Sequence, residues 1–429
     1  FRSAATLPNE FLFMEISMLR SLALFALCPS LLWGAFEADA AVLPSDAVLP
    51  TVHELRVPAK DGTVLHAEID LPSNQAYRAV VLLVPGTGGF DRDGWFGHSG
   101  TPRDFIFAQL SRALNQAGLA VIRFDERGRT CPDGGHSDAQ RRCADAALVE
   151  TVTPENKASD VADIAAAALA DPALQGDALM VLAHSEGLLT TARAFEEHEL
   201  EPAAIIAIGG IMGSPKQTIR WQAIDRQIEA VESMDSNGDG IVTRAEIIAG
   251  WQRQGLSASA IAAASPKLAD KRTFAEIEGR RPALIKAYNA QQSDAMAHSG
   301  DAPYLAAGKP VASYSWWQMW FTDDMPVAKR LMNFHGPVTL FYGGDDSQTR
   351  PEQQIAAAKQ YLKTGSLTTR IFPELGHTLG ESPLFGPIRP SAMQALVQSA
   401  QADAALCEKG CKAPGPVTDG QARDMAAKS

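Results

Sequence analysis

Short, nearly unbroken apolar runs punctuate this chain. Residues 79–84 read AVVLLV, 119–124 LAVIRF, 179–183 LMVLA and 203–208 AAIIAI. A strand that is apolar at every position must be buried on both faces, because successive side chains point to opposite sides of a sheet. Segments with helical periodicity at 105–117, 160–169 and 188–197 alternate with these runs. Strands alternating with helices predict an α/β fold, with a mostly parallel central sheet and helices on both faces. Ahead of it, residues 52–71 alternate apolar and polar around Asp61-Gly62, the pattern of a two-stranded hairpin.

The alternation stops near Pro215 and resumes with a strand at 338–342, a helix at 351–362, a strand at 368–372 and a helix at 391–406. The expected organisation is a core in two parts, 41–215 and 336–406, interrupted by a helical cap at 216–335 without a convincing buried strand. A loose tail rich in Pro, Gly and Ala follows at 407–429. With 429 residues, 46% hydrophobic and 21% charged, the chain can support one large core plus such an insert.

From Met18 the chain reads MLRSLALFALCPSLLWGAFEADA. Arg20, an apolar stretch at 21–36 and the small-x-small site Ala38-Asp39-Ala40 predict a signal peptide over 18–40, cleaved near Ala40. A retained anchor is the alternative reading. A periplasmic or secreted protein with no stable membrane span is expected. Residues before Met18 are set aside from fold reasoning. Cleavage leaves Cys131, Cys143, Cys407 and Cys411, an even number suited to two disulfides. Nearest neighbours would pair 131 with 143 and 407 with 411, while other pairings and free thiols stay open. A net charge of −12 without a basic stripe argues against nucleic acid as a partner.

Four His-Ser pairs occur, at 98–99, 136–137, 184–185 and 298–299. Only Ala183-His184-Ser185-Glu186-Gly187 directly follows a buried strand and directly precedes a helix. A nucleophile elbow needs small residues two before and two after its serine, because that turn is strained and crowded. A serine hydroxyl needs a base to take its proton, and the base needs an orienting acid. Gly343-Gly344-Asp345-Asp346 follows the next-to-last strand and Gly376-His377 follows the last, giving the order serine, acid, histidine. Ser185 is the candidate nucleophile, His377 the base and Asp346 the acid. Asp345 competes, but the spacing from Gly343 and the following Ser347-Gln348-Thr349 favour Asp346. The backbone N–H of Glu186 and one from the turn after 79–84, at Thr87, are the candidate oxyanion donors. Asp125-Glu126-Arg127-Gly128 reads as a structural charged turn.

With these residues placed, the chain resembles bacterial α/β-hydrolases that carry a His-Ser-Glu-Gly elbow, a group often labelled esterases or dienelactone-hydrolase-like proteins. The similar stretches are 86–94 (GTGGFDRDG), 124–128 (FDERG), 184–187 (HSEG), 314–317 (YSWW), 343–348 and Gly376-His377. The resemblance implies the α/β-hydrolase fold, a serine nucleophile, no cofactor for the chemistry, and acyl transfer to water; it does not fix the substrate, for which a small-molecule ester is the leading expectation. Ala183 departs from the usual glycine, and Thr130-Cys131 stands where Gly-Ser is common. A peptidase, amidase or thioesterase would use the same residues, and a non-catalytic calcium-dependent binding module is a different class of reading.

Within the cap, 235–246 (DSNGDGIVTRAE) fits a twelve-residue EF-hand calcium loop. Asp235, Asn237 and Asp239 take the first, third and fifth places, Gly240 the sixth, and Ile241 offers its carbonyl at the seventh. Thr243 is ninth and Glu246 twelfth. Amphipathic segments at 219–234 and 244–254 flank it, and no second loop is evident. The expectation is a structural Ca²⁺ that clamps the cap; an acidic turn is the plain alternative. Tyr314, Trp316, Trp317, Trp320 and Phe321 either line a pocket or form the cap's own core.

Overall fold

The computed structural model describes residues 50–407, apart from 73–76, 78, 97–101, 132–142, 175–177, 255, 257, 307, 364 and 385. The expected signal peptide, the His-Ser pairs at 98–99 and 136–137, and the tail with Cys411 lie outside them. The hairpin forms as β1 (Thr51–Pro58) and β2 (Val64–Leu71), antiparallel, with Gly62 at φ 86° in the turn. Then come β3 (Val80–Val84), helix α1 (Ile106–Gln116), β4 (Ala120–Phe124), α2 (Pro154–Leu169), β5 (Leu179–His184), α3 (Gly187–Glu197) and β6 (Ala204–Ile208). Helix α2 starts earlier than the expected 160. Thr153 caps it reciprocally with Asn156, and Pro154 occupies its first turn, as helix starts favour.

The insert holds α4 (Pro215–Ala223), α5 (Asp225–Glu232), β7 (Ile241–Thr243), α6 (Arg244–Arg253), α7 (Ala258–Ala264), β8 (Lys271–Thr273) and α8 (Phe274–Glu278). It continues with α9 (Arg281–Ala297), β9 (Pro303–Ala306), β10 (Lys309–Ser313) and α10 (Tyr314–Thr322). Two short antiparallel strand pairs accompany the helices, and their residues are mostly not buried. Strands of three to five residues are too short to display a period. The core resumes with β11 (Val338–Gly343), α11 (Pro351–Tyr361), β12 (Leu367–Phe372) and α12 (Pro390–Cys407).

Eight strands form one sheet in the order β1-β2-β4-β3-β5-β6-β11-β12. All pairings from β4 to β12 are parallel, and β2 is antiparallel to both its neighbours. This is the α/β-hydrolase fold, with the insert between β6 and β11. The unbroken apolar runs have the anticipated cause. Val80, Leu82 and Val84 pack on one face with residues of α2, α3 and α11, while Val81 and Leu83 pack on the other with α1 and α12. Each such buried aliphatic side chain contributes about 1.5–3 kcal/mol relative to exposure.

The charged turn is structural. Asp125 takes Arg92 in a two-pronged pair at 2.7 and 3.0 Å, and Arg127 grips Asp160 at 2.6 and 2.8 Å. Arg123 joins Glu68, Asp70 and Asp93 in the same buried network. Removing Arg92 or Arg123 would leave buried carboxylates short of counter-charge. Cys131 and Cys143 are bridged. No described helix is long and apolar enough to cross a membrane.

Candidate active site

At the end of β5 the chain turns sharply into α3, and Ser185 at the corner has φ 54°. A non-glycine residue rarely adopts that left-handed conformation, so the surroundings must hold it there. Gly187 lets the helix start close under the neighbouring strand: a Cβ there would lie 2.4 Å from the Val84 carbonyl oxygen and 2.6 Å from that of Pro85. Gly86 opens the opposite wall, since its Cβ would come within 2.8 Å of Ser185 Cβ.

Loops after β11 and β12 bring Asp346 and His377 together, both buried. His377 Nδ1 lies 2.8 Å from Asp346 Oδ2 and 3.0 Å from Oδ1. The carboxylate is itself fixed: Oδ1 accepts from the amides of Gln348 (2.7 Å) and Thr349 (2.9 Å), and Oδ2 from the Thr349 hydroxyl (2.8 Å). Asp345, in contrast, is exposed, and what burial it has, with Glu374 nearby, raises its pKa. Of the two neighbours, Asp346 is the one that holds the imidazole. Gly209, at φ 56°, makes room for that ring, because a Cβ would meet His377 Nδ1 at 2.7 Å.

The His377 ring lies against that of His184, the residue before the serine, with centroids 4.8 Å apart. Burial, with His377 alongside, holds His184 well below the usual histidine range, so it is a neutral packing ring. Among the described residues no hydrogen bond joins Ser185 Oγ to His377. Hydrogen bonds of this kind are often long in unliganded sites and shorten when substrate is bound.

Thr87 and Glu186 meet beside the serine, where Thr87 Oγ1 donates to Glu186 Oε2 at 2.5 Å. Neither backbone N–H finds a backbone acceptor among the described residues. The Glu186 carboxylate also accepts from Trp316 Nε1 of α10 at 2.8 Å and lies 3.5 Å from Lys157 Nζ. Lys157 in turn pairs with Glu126 at 3.0 Å, and Glu126 accepts from the Phe90 amide at 2.7 Å. Burial would drive the Lys157 proton off, but Glu126 and Glu186 overcome it and push its pKa upward. The residue after the serine thus ties core helix, turn and cap together. Lys157 and Glu126 escape sequence reasoning because the pairing spans distant segments with no local pattern.

A cleft beside this network is lined by Thr87, Glu126, Arg129, Lys157, Val311 and Trp316. Most of the cap aromatics are core: Trp317 stacks on Tyr304 at 5.0 Å and meets Phe321 edge-on at 4.9 Å. Trp316 alone of the five lines the cleft.

In the candidate calcium loop, Gly238 and Gly240 take φ 73° and 77° with open space around them, as a tight loop demands. Asp235 accepts from the amides of Gly238 and Gly240, Asp239 from that of Ile241, and Asn237 donates to Asp239. Glu246 reaches back to Ser236 and Thr243, whose hydrogen bonds lower its pKa to about 2. The donors are hard oxygens suited to Ca²⁺. Among the described residues, however, no three His, Cys, Asp or Glu side chains gather closely enough to hold a metal.

A partner for this loop, unrecognised in the sequence, faces it. Val242 pairs with Arg272 across β7 and β8, and the hydrogen bonds around them are reciprocal. The Arg244 amide donates to the Asp270 carbonyl (2.9 Å), and the Phe274 amide to that of Gly240 (3.1 Å). Thr243 and Glu246 form a capping box that Thr273 and Glu276 repeat. Aligned on those boxes, the second unit has Ser265, Lys267 and Ala269 where the first has Asp235, Asn237 and Asp239. It can pair, but it lacks the ligands that would have revealed it.

No protein-family model and no curated protein matches the chain. Solved structures similar to it include a monoacylglycerol lipase of Paleococcus ferrophilus, 17% identical over 79% of this chain and 99% of its own, with a TM-score of 0.39. An esterase domain from a Rhodothermus marinus protein is 13% identical over 84% and 98%, with a TM-score of 0.41. A proline iminopeptidase of Mycobacterium smegmatis is 14% identical over 83% and 100%, with a TM-score of 0.46. These likenesses are remote.

Proposed function

We propose that this chain is an exported serine hydrolase of carboxylic esters, with Ser185 as nucleophile, His377 as base and Asp346 as orienting acid. One observation carries the reading: a serine in a left-handed corner between strand and helix, preceded by a ring that packs on His377, whose Nδ1 is held by a fixed carboxylate. Asp346 sets the tautomer so that His377 Nε2 is free to take the Ser185 proton. Oγ adds to the ester carbonyl, and the amides of Thr87 and Glu186 receive the oxyanion. The tetrahedral adduct collapses, its alkoxide leaving with the proton from His377, and water then repeats the sequence on the acyl-enzyme. Export accords with the Cys131–Cys143 bridge, since disulfides persist in oxidising compartments.

We also propose a structural Ca²⁺ in 235–246, held by Asp235, Asn237, Asp239, Ile241, Thr243 and Glu246, with no part in the chemistry. The paired strands β7 and β8 support it. A screen of short and long p-nitrophenyl esters tests the enzyme reading. Hydrolysis that disappears in Ser185→Ala is expected; equal turnover by that variant would sink it.

A further inference from the structure

Among the described residues, the side-chain hydrogen bonds of Asp346 other than that to His377 come from its own loop, from Gln348 and Thr349, so the loop's position decides where the carboxylate sits. On the core side, Ser347 donates from its amide to the Pro383 carbonyl at 3.1 Å, and the Thr349 hydroxyl, whose proton goes to Asp346, lies 3.3 Å from the Gly209 carbonyl. The two carbonyls next to the acid face the cap. Arg226 on α5 donates from a guanidinium N–H to the Ser347 carbonyl at 2.9 Å. Gln222 on α4 donates to the Gln348 carbonyl at 2.8 Å. Just beyond, Glu229 of α5 pairs with Arg350 at 3.3 Å. Three side chains on successive turns of the first cap helices therefore clasp 347–350.

Only Arg226 brings a full positive charge to the carbonyl beside Asp346. Burial pulls its pKa down to about 10, against the attraction of Asp346, so it is still charged at neutral pH. A cation there favours the ionised carboxylate, which must stay charged to stabilise the imidazolium that forms as Ser185 attacks. An error of about 1 Å in such an element can cost about a hundredfold in rate.

We infer that Arg226 is a positioning residue for the acid loop, through which the cap holds Asp346 against His377. The inference rests on the proposed Ser185–His377–Asp346 reading. Steady-state kinetics of the full chain on p-nitrophenyl acetate test it, using Arg226→Met, Arg226→Lys and Ser185→Ala. Arg226→Met is expected to lower kcat about 10- to 100-fold with KM within threefold, because substrate contacts are untouched. Arg226→Lys should recover most of that loss, since an ammonium can still donate to the Ser347 carbonyl. A methionine variant with kcat within threefold of the parent overturns the inference. So does a loss that lysine fails to recover, or one shared equally by KM, which would mark general damage to the cap. Undiminished turnover in Ser185→Ala overturns the underlying reading and this inference together, whereas an inert Ser185→Ala with a fully active Arg226→Met overturns the inference alone.

Discussion

Asp346 Oδ2 stands 2.8 Å from His377 Nδ1, and both side chains are buried although 31 positions separate them in the chain. The pair predicts an asymmetry between two adjacent carboxylates. Asp346→Asn would present the wrong hydrogen-bond partner to Nδ1 and is expected to lower kcat by about 10³-fold or more. Asp345→Asn, on an exposed side chain, should leave kcat within about twofold. Ester turnover by the two purified variants decides it.

Gly187 is predicted to tolerate no side chain. Its Cβ would lie 2.4 Å from a backbone oxygen of β3, which cannot swing aside as a side chain could. Gly187→Ala should cost about 2–3 kcal/mol in a denaturant melt. A variant as stable as the parent would mean that α3 can shift away from β3.

Asp403 supplies a pH prediction. Burial in α12 pushes its pKa up to about 6, and Oδ2 has no hydrogen-bond partner among the described residues. Between the unfolded value, near 3.9, and 6 the folded state binds more protons, so stability falls as pH rises through that window. Above it the penalty is fully present, at most about 3 kcal/mol. Asp403→Asn should therefore raise Tm at pH 7 and leave it unchanged at pH 4. Equal gains at both pH values would contradict the assignment.

Calcium is expected to stabilise the cap. A ligand that binds only the folded state at a hundred times its Kd adds about 2.7 kcal/mol. Melting curves with EDTA and with millimolar CaCl₂ should differ in the parent chain and coincide in Glu246→Gln, which removes the twelfth-position charge. A parent Tm indifferent to calcium would leave 235–246 as an acidic turn between helices.

Much of the fold was legible because burial on both faces leaves an unmistakable trace. AVVLLV and LMVLA could be little else than central strands, and their neighbours in sequence fell onto the two faces as expected. That Asp346 and His377 lie together was legible from their places at the ends of neighbouring strands. What escaped detection has a common cause. Lys157 binds Glu126 and Glu186 through space, with no local periodicity to announce it. Strand β7 has three residues, fewer than a period-two pattern needs. The partner of loop 235–246 has the Thr273 and Glu276 capping box, but Ser265, Lys267 and Ala269 stand at the first, third and fifth places by which such loops are recognised. Arg226 lies 120 residues before Asp346, and only the folded cap brings it to the acid loop.

Whether Ser185 is the attacking group is open to direct chemical observation. The folded full chain would be treated with a fluorophosphonate, digested and read by mass spectrometry. One adduct is predicted, on the peptide that contains Ser185 and absent from Ser185→Ala. An adduct on another serine, or none on protein whose circular dichroism reports the native fold, would contradict the account.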